Sequence, residues 1–136
     1  MSDYRRRNAE AKLRSMYVLA DVPPTTCYYC GEAADTRDHV PPVSLADPMG
    51  SDPLIIYPAC RECNTLLGDR YLVTAAERAD FVAGALRTRY AKALKCACFT
   101  EEELAEFGPA MRKRILFDAR VAARIRARIS FATLNP

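Results

Sequence analysis

Two Cys-x-x-Cys pairs constrain this chain more than any other feature of its sequence: Cys27-Tyr-Tyr-Cys30 and Cys60-Arg-Glu-Cys63. In such a turn the two thiolates converge on one tetrahedral ion, so two pairs in one short chain predict a shared zinc site. Gly31 follows the first pair and supplies the unrestricted backbone that the knuckle needs. Four sulfur ligands leave zinc no open position, so this metal is predicted to hold the fold and to do no chemistry.

The six cysteines also bear on the compartment in which the chain works. Its longest apolar runs are a few residues, far short of the ~20 needed to span a bilayer. Residues 1–24 lack an apolar stretch ending in a small-residue cleavage site, so we expect neither a signal peptide nor a membrane anchor. A reducing cytosol is then expected, and it favours metal binding over disulfides. Cys96 and Cys98 would point apart on a helix and are expected to be buried small hydrophobes.

The 136 residues are most simply one domain with three regions. Residues 1–24 predict a basic helix over 4–19 and then a linker, because its two prolines cannot continue a helix. Residues 25–72, rich in Pro, Gly, Asp and Ser, predict loops, a small hairpin and one short helix. Residues 73–136 are predicted to be helical, so the expected fold class is α+β and mainly helical.

Capping signatures predict where the helices of the third region begin. Thr74 followed by Glu77 opens a helix through about Lys95, and the same signature at Thr100 opens a short helix. A last helix is predicted over 109–129. The expected inner positions of the two long helices are Phe81, Val82, Leu86, Tyr90 and Leu94, and Ile115, Leu116, Val121, Ile125 and Ile129.

The net charge of +3 is unevenly distributed along the chain. Residues 1–20 hold five basic and two acidic side chains, and residues 21–70 hold three basic and eight acidic ones. Residues 111–136 hold seven basic side chains and one acidic one. An acidic centre between basic ends suits a cation site framed by polyanion-binding surfaces, and solvated helix faces are the alternative.

The only histidine of the chain, His39, lies between the two cysteine pairs in the stretch Asp-His-Val-Pro-Pro. The order "CYYCG…DHVPP…ACRECN" within residues 27–69 resembles the zinc-stabilised branch of the HNH, or ββα-metal, endonucleases. The resemblance implies a zinc-bound ββα-metal (His-Me finger) module flanked by N-terminal and C-terminal helices. It further implies cleavage or nicking of DNA that depends on Mg²⁺ or a similar divalent cation and leaves 5′-phosphate and 3′-hydroxyl ends.

Three residues become catalytic candidates through this resemblance. His39, with an ordinary pKa of about 6.5, is expected to deprotonate water as the general base. Asp38 and Asn64 offer hard oxygen ligands to a divalent cation. Zinc would fix the helix that carries Asn64, which directly follows Cys63. Each residue has an alternative role: a structural histidine, a turn aspartate and a helix-capping asparagine.

The chain departs from the family pattern at two positions. Many relatives carry an asparagine five residues before the third cysteine, where this chain has Ile55. Many also carry a lysine shortly after the Cys-Asn, where this chain has Leu67. The first change puts in doubt a hydrogen bond that braces the loop near the histidine. The second removes a phosphate contact, which Arg61 or Arg70 could replace.

Arginines of the last helix are expected to bind phosphates without reading sequence. The predicted DNA contacts are Arg61, Arg70, Arg112, Arg120, Arg124 and Arg128. Tyr28 and Tyr29 could stack on nucleotides or pack against the first zinc knuckle.

The resemblance also implies a phage or mobile-element protein that acts on DNA, away from membranes, in the cytoplasm of a bacterial host. A second copy of the chain and phage packaging proteins are the candidate protein partners. Two alternative functions stay open. One is a catalytically weak or inert zinc module that binds DNA or a protein, and the other is an accessory nuclease in phage DNA packaging.

Overall fold

The computed structural model describes residues 2–134, with side chains through residue 131. Within these residues the chain is about 54% helical with a small three-stranded sheet, which confirms the expected α+β, mainly helical fold. The elements are α1 (Asp3–Ser15), β1 (Val18–Leu19), β2 (Thr36–Val40), β3 (Ile55–Ala59), α2 (Arg61–Leu67), α3 (Ala75–Arg89), α4 (Ala91–Leu94), α5 (Glu101–Ala105) and α6 (Pro109–Leu134).

Strands β2 and β3 pair antiparallel, with Thr36 opposite Ala59 and Val40 opposite Ile55. This is the hairpin that was predicted within residues 25–72, and a long loop that contains a 3₁₀ turn joins its strands. Helix α2 begins directly after β3, with Cys60 as its N-cap. Strands β2 and β3 and helix α2 therefore form a ββα unit in the geometric sense.

The N-terminal helix is shorter than predicted. It ends at Ser15, and Val18–Leu19 instead form a strand parallel to β3. The backbone N–H of Val18 donates to the carbonyl of Leu54 at 3.0 Å, and that of Ala20 donates to Ile56 at 2.9 Å. These bonds satisfy the open edge of β3, and that tertiary pairing overrides the helical pattern.

Both predicted capping signatures are confirmed. The Thr74 hydroxyl accepts a hydrogen bond from the backbone N–H of Glu77, and Thr100 does the same for Glu103, each at 3.1 Å. Helix α3, which begins after Thr74, nevertheless ends at Arg89 and not at about Lys95 as predicted. The short helix α4 follows it.

Helices α3 and α6 pack on each other and on the cysteine pairs. Val82 and Leu86 of α3 meet Ile125 and Ile129 of α6 in this core, as predicted. The prediction that Leu116 is on the inner face is wrong. Its side chain is 46% exposed, because it lies about 100° around the helix from Ile115.

The prediction that Cys96 and Cys98 are buried is also wrong. Cys96 is only partly buried, Cys98 is exposed, and both are free thiols. They lie in the non-helical connection between α4 and α5, where their side chains reach solvent.

None of the helices within residues 2–134 combines the length and apolar character needed to cross a membrane.

Candidate metal centre and His39 groove

The structure brings the four predicted cysteines together. The Sγ atoms of Cys27, Cys30, Cys60 and Cys63 are all buried and lie within 4.8 Å of one another. The Sγ atoms of Cys30 and Cys60 are 3.7 Å apart. A tetrahedral zinc with Zn–S bonds of about 2.3 Å separates its ligands by about 3.8 Å, so the cluster is compatible with a structural zinc.

The first knuckle has the backbone that was predicted at its glycine. Gly31 has a φ of +79°, a conformation that side chains disfavour, and its N–H donates to the carbonyl of Cys27 at 2.9 Å. A Cβ at this position would lie 2.7 Å from the ring of Phe131 on α6. Gly31 is therefore required both by the turn and by the close approach of α6.

The pKa values of Cys27 and Cys63 are shifted in opposite directions. Hydrogen bonds from Cys30 and Cys63 lower the pKa of Cys27 to about 3. Hydrogen bonds to Cys27 and Cys30, together with burial, raise the pKa of Cys63 well above its ordinary value. The Cys27 thiolate therefore forms easily and the Cys63 thiolate does not, because each new negative charge repels the others. A bound cation would remove this repulsion, and its binding would release protons.

The three catalytic candidates line one groove of about 660 Å³. We call this the His39 groove. Its walls are α1, the end of β2, α2, Arg78 of α3 and the loop that follows β2. Asp38 and His39 come from β2, and Asn64 comes from α2, so the ββα unit is what places them together.

His39 is partly buried and contacts Tyr17 of the segment after α1. The two rings meet edge to face, with centroids 4.9 Å apart and an angle of 76° between their planes. The Tyr17 hydroxyl donates to the backbone carbonyl of Pro41, which holds the tyrosine against the loop after β2. Within residues 2–134 it is the Tyr17 contact that orients the ring.

The surroundings of His39 favour its neutral form. Burial lowers the pKa of the imidazole below its ordinary value of 6.5, and the positive charges of Arg14 and Arg37 lower it further. The negative charge of Asp38 opposes these effects without cancelling them. At neutral pH the ring is therefore a proton acceptor, which is the state a general base needs.

Asp38 is buried, with only 4% of its surface exposed, and is paired with Arg78 of α3. Arg78 donates from Nη2 to Oδ1 at 2.6 Å and from Nε to Oδ2 at 2.7 Å. The hydroxyl of Tyr29 also donates to Oδ2, and Nη1 of Arg78 donates to the carbonyl of Leu72 at 3.0 Å. Asp38 lies inside β2, so it is not a turn residue.

Sequence reasoning missed Arg78, although the sequence contains a signal for it. Arg78 precedes Val82 and Leu86 at a spacing of four residues, so it lies on the apolar stripe of α3. An arginine on such a stripe is seldom buried without a partner. That pattern predicts a buried carboxylate nearby.

Asn64 joins α2 to β2. Its Nδ2 donates to the hydroxyl of Thr36 at 3.1 Å and to the carbonyl of Arg37 at 3.3 Å. The capping alternative for Asn64 is wrong, because the N-cap of α2 is Cys60, whose sulfur accepts from the N–H of Cys63 at 3.4 Å. Since both bonds use the amide nitrogen, the amide oxygen is the atom that Asn64 can offer to a cation.

Two of the predicted DNA contacts form ion pairs within the protein. Arg124 donates from Nε and Nη2 to the two carboxylate oxygens of Glu32, each at 2.7 Å. Arg128, with a side chain only 12% exposed, contacts Glu62 at 2.6 Å. These pairs attach α6 to residues next to the cysteine cluster. A role of Arg124 and Arg128 in DNA binding stays a prediction.

The other predicted DNA contacts are spread over several surfaces. Arg61 lies in a separate groove beside Arg124 and Arg128, and the guanidinium of Arg70 lies 4.3 Å from the centre of the Phe81 ring. Arg112 and Arg120 are exposed on α6. The arginines that line the His39 groove are a different set, which sequence reasoning missed: Arg6, Arg14, Arg37 and Arg78.

The two departures from the family pattern are residues of the sheet and the core. Ile55 begins β3 and pairs with Val40, and Leu67 is completely buried beneath α3. A lysine at position 67 would place a charge in that core, so apolar packing accounts for the leucine.

Tyr28 and Tyr29 pack against each other beside the knuckle, with ring centroids 5.4 Å apart, which supports the packing alternative.

Comparison with known proteins assigns no family to this chain. No family model, no curated protein and no solved structure matches it. A functional assignment therefore depends on the geometry of the His39 groove and the cysteine cluster.

Proposed function

We propose that this chain is a metal-dependent endonuclease of the HNH type that cleaves or nicks DNA. One observation carries the proposal: Asp38, His39 and Asn64 line a single groove on a ββα unit. Two of the four clustered cysteines, Cys60 and Cys63, lie where β3 passes into α2. A zinc in that cluster would therefore fix the helix that carries Asn64.

In this proposal His39 takes a proton from the attacking water. Its partial burial and the nearby arginines keep it neutral at the pH where it must act. The Tyr17 ring fixes its orientation, so little reorganisation is needed before the proton moves. Arg14 and Arg37 add positive charge beside the position expected for the scissile phosphate.

Asp38 and Asn64 would hold the divalent cation. A carboxylate offers about four lone-pair sites. Arg78 and Tyr29 together use two sites on Oδ2, and Arg78 uses one on Oδ1. Oδ1 of Asp38 therefore keeps a lone pair, and this oxygen and the amide oxygen of Asn64 are the hard ligands that they would offer to Mg²⁺. When bound, such a cation supplies charge stabilisation to the phosphorane and the leaving oxygen.

A plasmid-nicking assay with and without Mg²⁺ tests the proposal, with His39→Ala run beside the wild type. We expect the variant to lose about 10²–10⁴-fold in rate while it keeps its zinc content and DNA affinity. Cys98→Ser, which changes an exposed thiol away from the groove, is the matched control and should cut like the wild type. Equal cutting by wild type and His39→Ala would overturn the enzyme proposal.

A second function is favoured by one observation, the pairing of Arg78 with both oxygens of Asp38. A cation must share the carboxylate with that guanidinium, which suits a zinc module that binds DNA or a protein without cutting. If neither protein cuts any DNA tested and both bind it, this function replaces the first. An accessory nuclease in phage packaging would use the same groove, and its activity would rise when the partner is added.

A further inference from the structure

Helix α1 contributes nothing to the protein core. It contains no buried residue, yet it carries Arg5, Arg6, Arg7, Lys12 and Arg14 against Asp3 and Glu10. An isolated helix of this length is marginal in water, and tertiary packing is what usually stabilises helices in proteins. Because none of its residues is fully buried, packing against the core contributes little to holding α1 in place.

One stripe of α1 forms a wall of the His39 groove. The groove is lined from this helix by Arg6, Ala9, Glu10, Leu13 and Arg14, which recur at helical spacing and share one face. At 3.6 residues per turn, Arg5 and Lys12 lie roughly 100–120° around the helix from Arg6. Arg6 and Arg14 thus line the candidate active site, whereas Arg5 and Lys12 lie on another side of the helix.

Tyr17, just after α1, fixes the helix next to His39. It is buried, its ring contacts the His39 ring, and its hydroxyl donates to the Pro41 carbonyl. Tyr17 therefore links the end of α1 to the histidine. The exposed pair between Arg6 and Asp3, at 3.2 Å, is of the kind that holds a charge only weakly.

We propose that α1 binds the phosphate backbone of duplex DNA along the His39 groove, through Arg6 and Arg14. This rests on the proposed function, since it places the DNA on which the groove acts. The two arginines are eight residues apart, about 12 Å at 1.5 Å per residue. That distance covers about three to four steps of one DNA strand at 3.4 Å each. Arg37 of β2 adds positive charge to the same groove.

Two double variants of equal charge change test the inference: Arg6→Gln with Arg14→Gln, and Arg5→Gln with Lys12→Gln as the control. Binding of a fluorescent DNA duplex is measured by anisotropy without divalent cation, so that nothing is cut, over a range of salt concentrations. Circular dichroism verifies that both variants keep their helix content. Loss of two phosphate contacts should reduce the slope of log affinity against log salt by about 1.8, and the control should lose less than half of that. In nicking assays the groove variant should have a higher KM than the control variant.

Equal losses in the two variants, or an unchanged slope in the groove variant, would overturn the inference. Binding of poly-glutamate as tight as that of DNA would also overturn it, because it would indicate an acidic protein partner. A wild type that binds DNA with the expected variant pattern but never cuts it refutes the proposed function and leaves the α1 site standing. If the wild type cuts DNA while both variants bind it alike, the α1 site is refuted and the proposed function stands.

Discussion

Arg78 and Asp38 form a buried two-pronged ion pair that links α3 to β2, with N–O distances of 2.6 and 2.7 Å. Removing two charges from water is costly, and a buried pair persists only when further hydrogen bonds satisfy its remaining groups. The Tyr29 hydroxyl and the Leu72 carbonyl provide those bonds. The helical region is thereby fastened to the strand that carries His39.

Replacing Arg78 with leucine should therefore destabilise the fold strongly. The change leaves the Asp38 carboxylate buried without its partner, which typically costs about 3–5 kcal/mol. The free energy of unfolding in urea measures it. Arg87→Leu, on the exposed side of the same helix, is the control and should change stability by no more than about 0.5 kcal/mol. Similar losses in both variants would contradict the importance of the pair.

The cysteine cluster should bind one zinc per chain. Cys60→Ser combined with Cys63→Ser should abolish zinc binding and unfold the ββα unit, because four thiolates supply the site. The matched control is Cys96→Ser with Cys98→Ser, which removes two thiols outside the cluster. Elemental analysis and proteolysis report the two effects. Zinc retained by the first variant, or lost from the second, would contradict this assignment.

Two glycine-to-alanine changes should have opposite effects. At Gly31 a Cβ would meet the Phe131 ring at 2.7 Å and the backbone has a φ of +79°, so we expect a loss of about 1–3 kcal/mol. At Gly84, inside α3, a Cβ meets nothing within 4 Å, and helix propensity should add about 0.5–1 kcal/mol. Thermal unfolding of the zinc-loaded protein compares them. A stabilised Gly31→Ala variant would contradict the proposed packing of α6 on the knuckle.

The sequence predicted the cysteine cluster because Cys-x-x-Cys spacing is local and its chemistry is narrow. The helix caps at Thr74 and Thr100 were predictable for the same reason. Strand β1 was not, since Val18 leaves the helical pattern only because the edge of β3 offers its backbone a partner. Such partners are distant in the sequence, and a pattern of local residues does not contain them.

The residues that line the His39 groove could be named in part from the sequence, but the contacts that they make could not. Asp38, His39 and Asn64 do line one groove, but the ion pair to Arg78 joins residues forty positions apart. The arginines of the groove come from α1, β2 and α3, whereas counting charges along the chain had drawn attention to α6. A count of charges gives no helix orientation, so it could not separate Arg14, which lines the groove, from Arg124, which pairs with Glu32.

The ion pair between Arg124 and Glu32 should make stability depend on pH. Hydrogen bonds from Arg124 lower the pKa of Glu32, with burial opposing them. A lowered carboxyl pKa stabilises the fold above the ordinary value of 4.5, and this contribution is lost as pH falls through the lowered value. Arg124→Gln should therefore be less stable than the wild type at pH 7, and the difference should shrink below about pH 4.

Urea unfolding at several pH values measures this dependence on pH. Arg120→Gln, which changes an exposed arginine on the same helix, is the control and should show no change in stability with pH relative to the wild type.

The same proteins test the predicted DNA contacts of α6. A salt slope that falls by about 0.9 in Arg120→Gln, the loss expected for one phosphate contact, would show that α6 also binds phosphates.

The divalent cation and the general base should respond differently to added Mg²⁺. Asn64→Ala is the cleaner ligand variant, since removing Asp38 would also leave Arg78 buried without its partner. Loss of the Asn64 amide oxygen weakens cation binding, so nicking should fall at low Mg²⁺ and recover in part as Mg²⁺ is raised. His39→Ala lacks the proton acceptor, so no concentration of Mg²⁺ should restore it. Nicking rates over a Mg²⁺ titration compare the two variants. Recovery of His39→Ala, or a loss in Asn64→Ala that Mg²⁺ leaves unchanged, would contradict the roles proposed for the two residues.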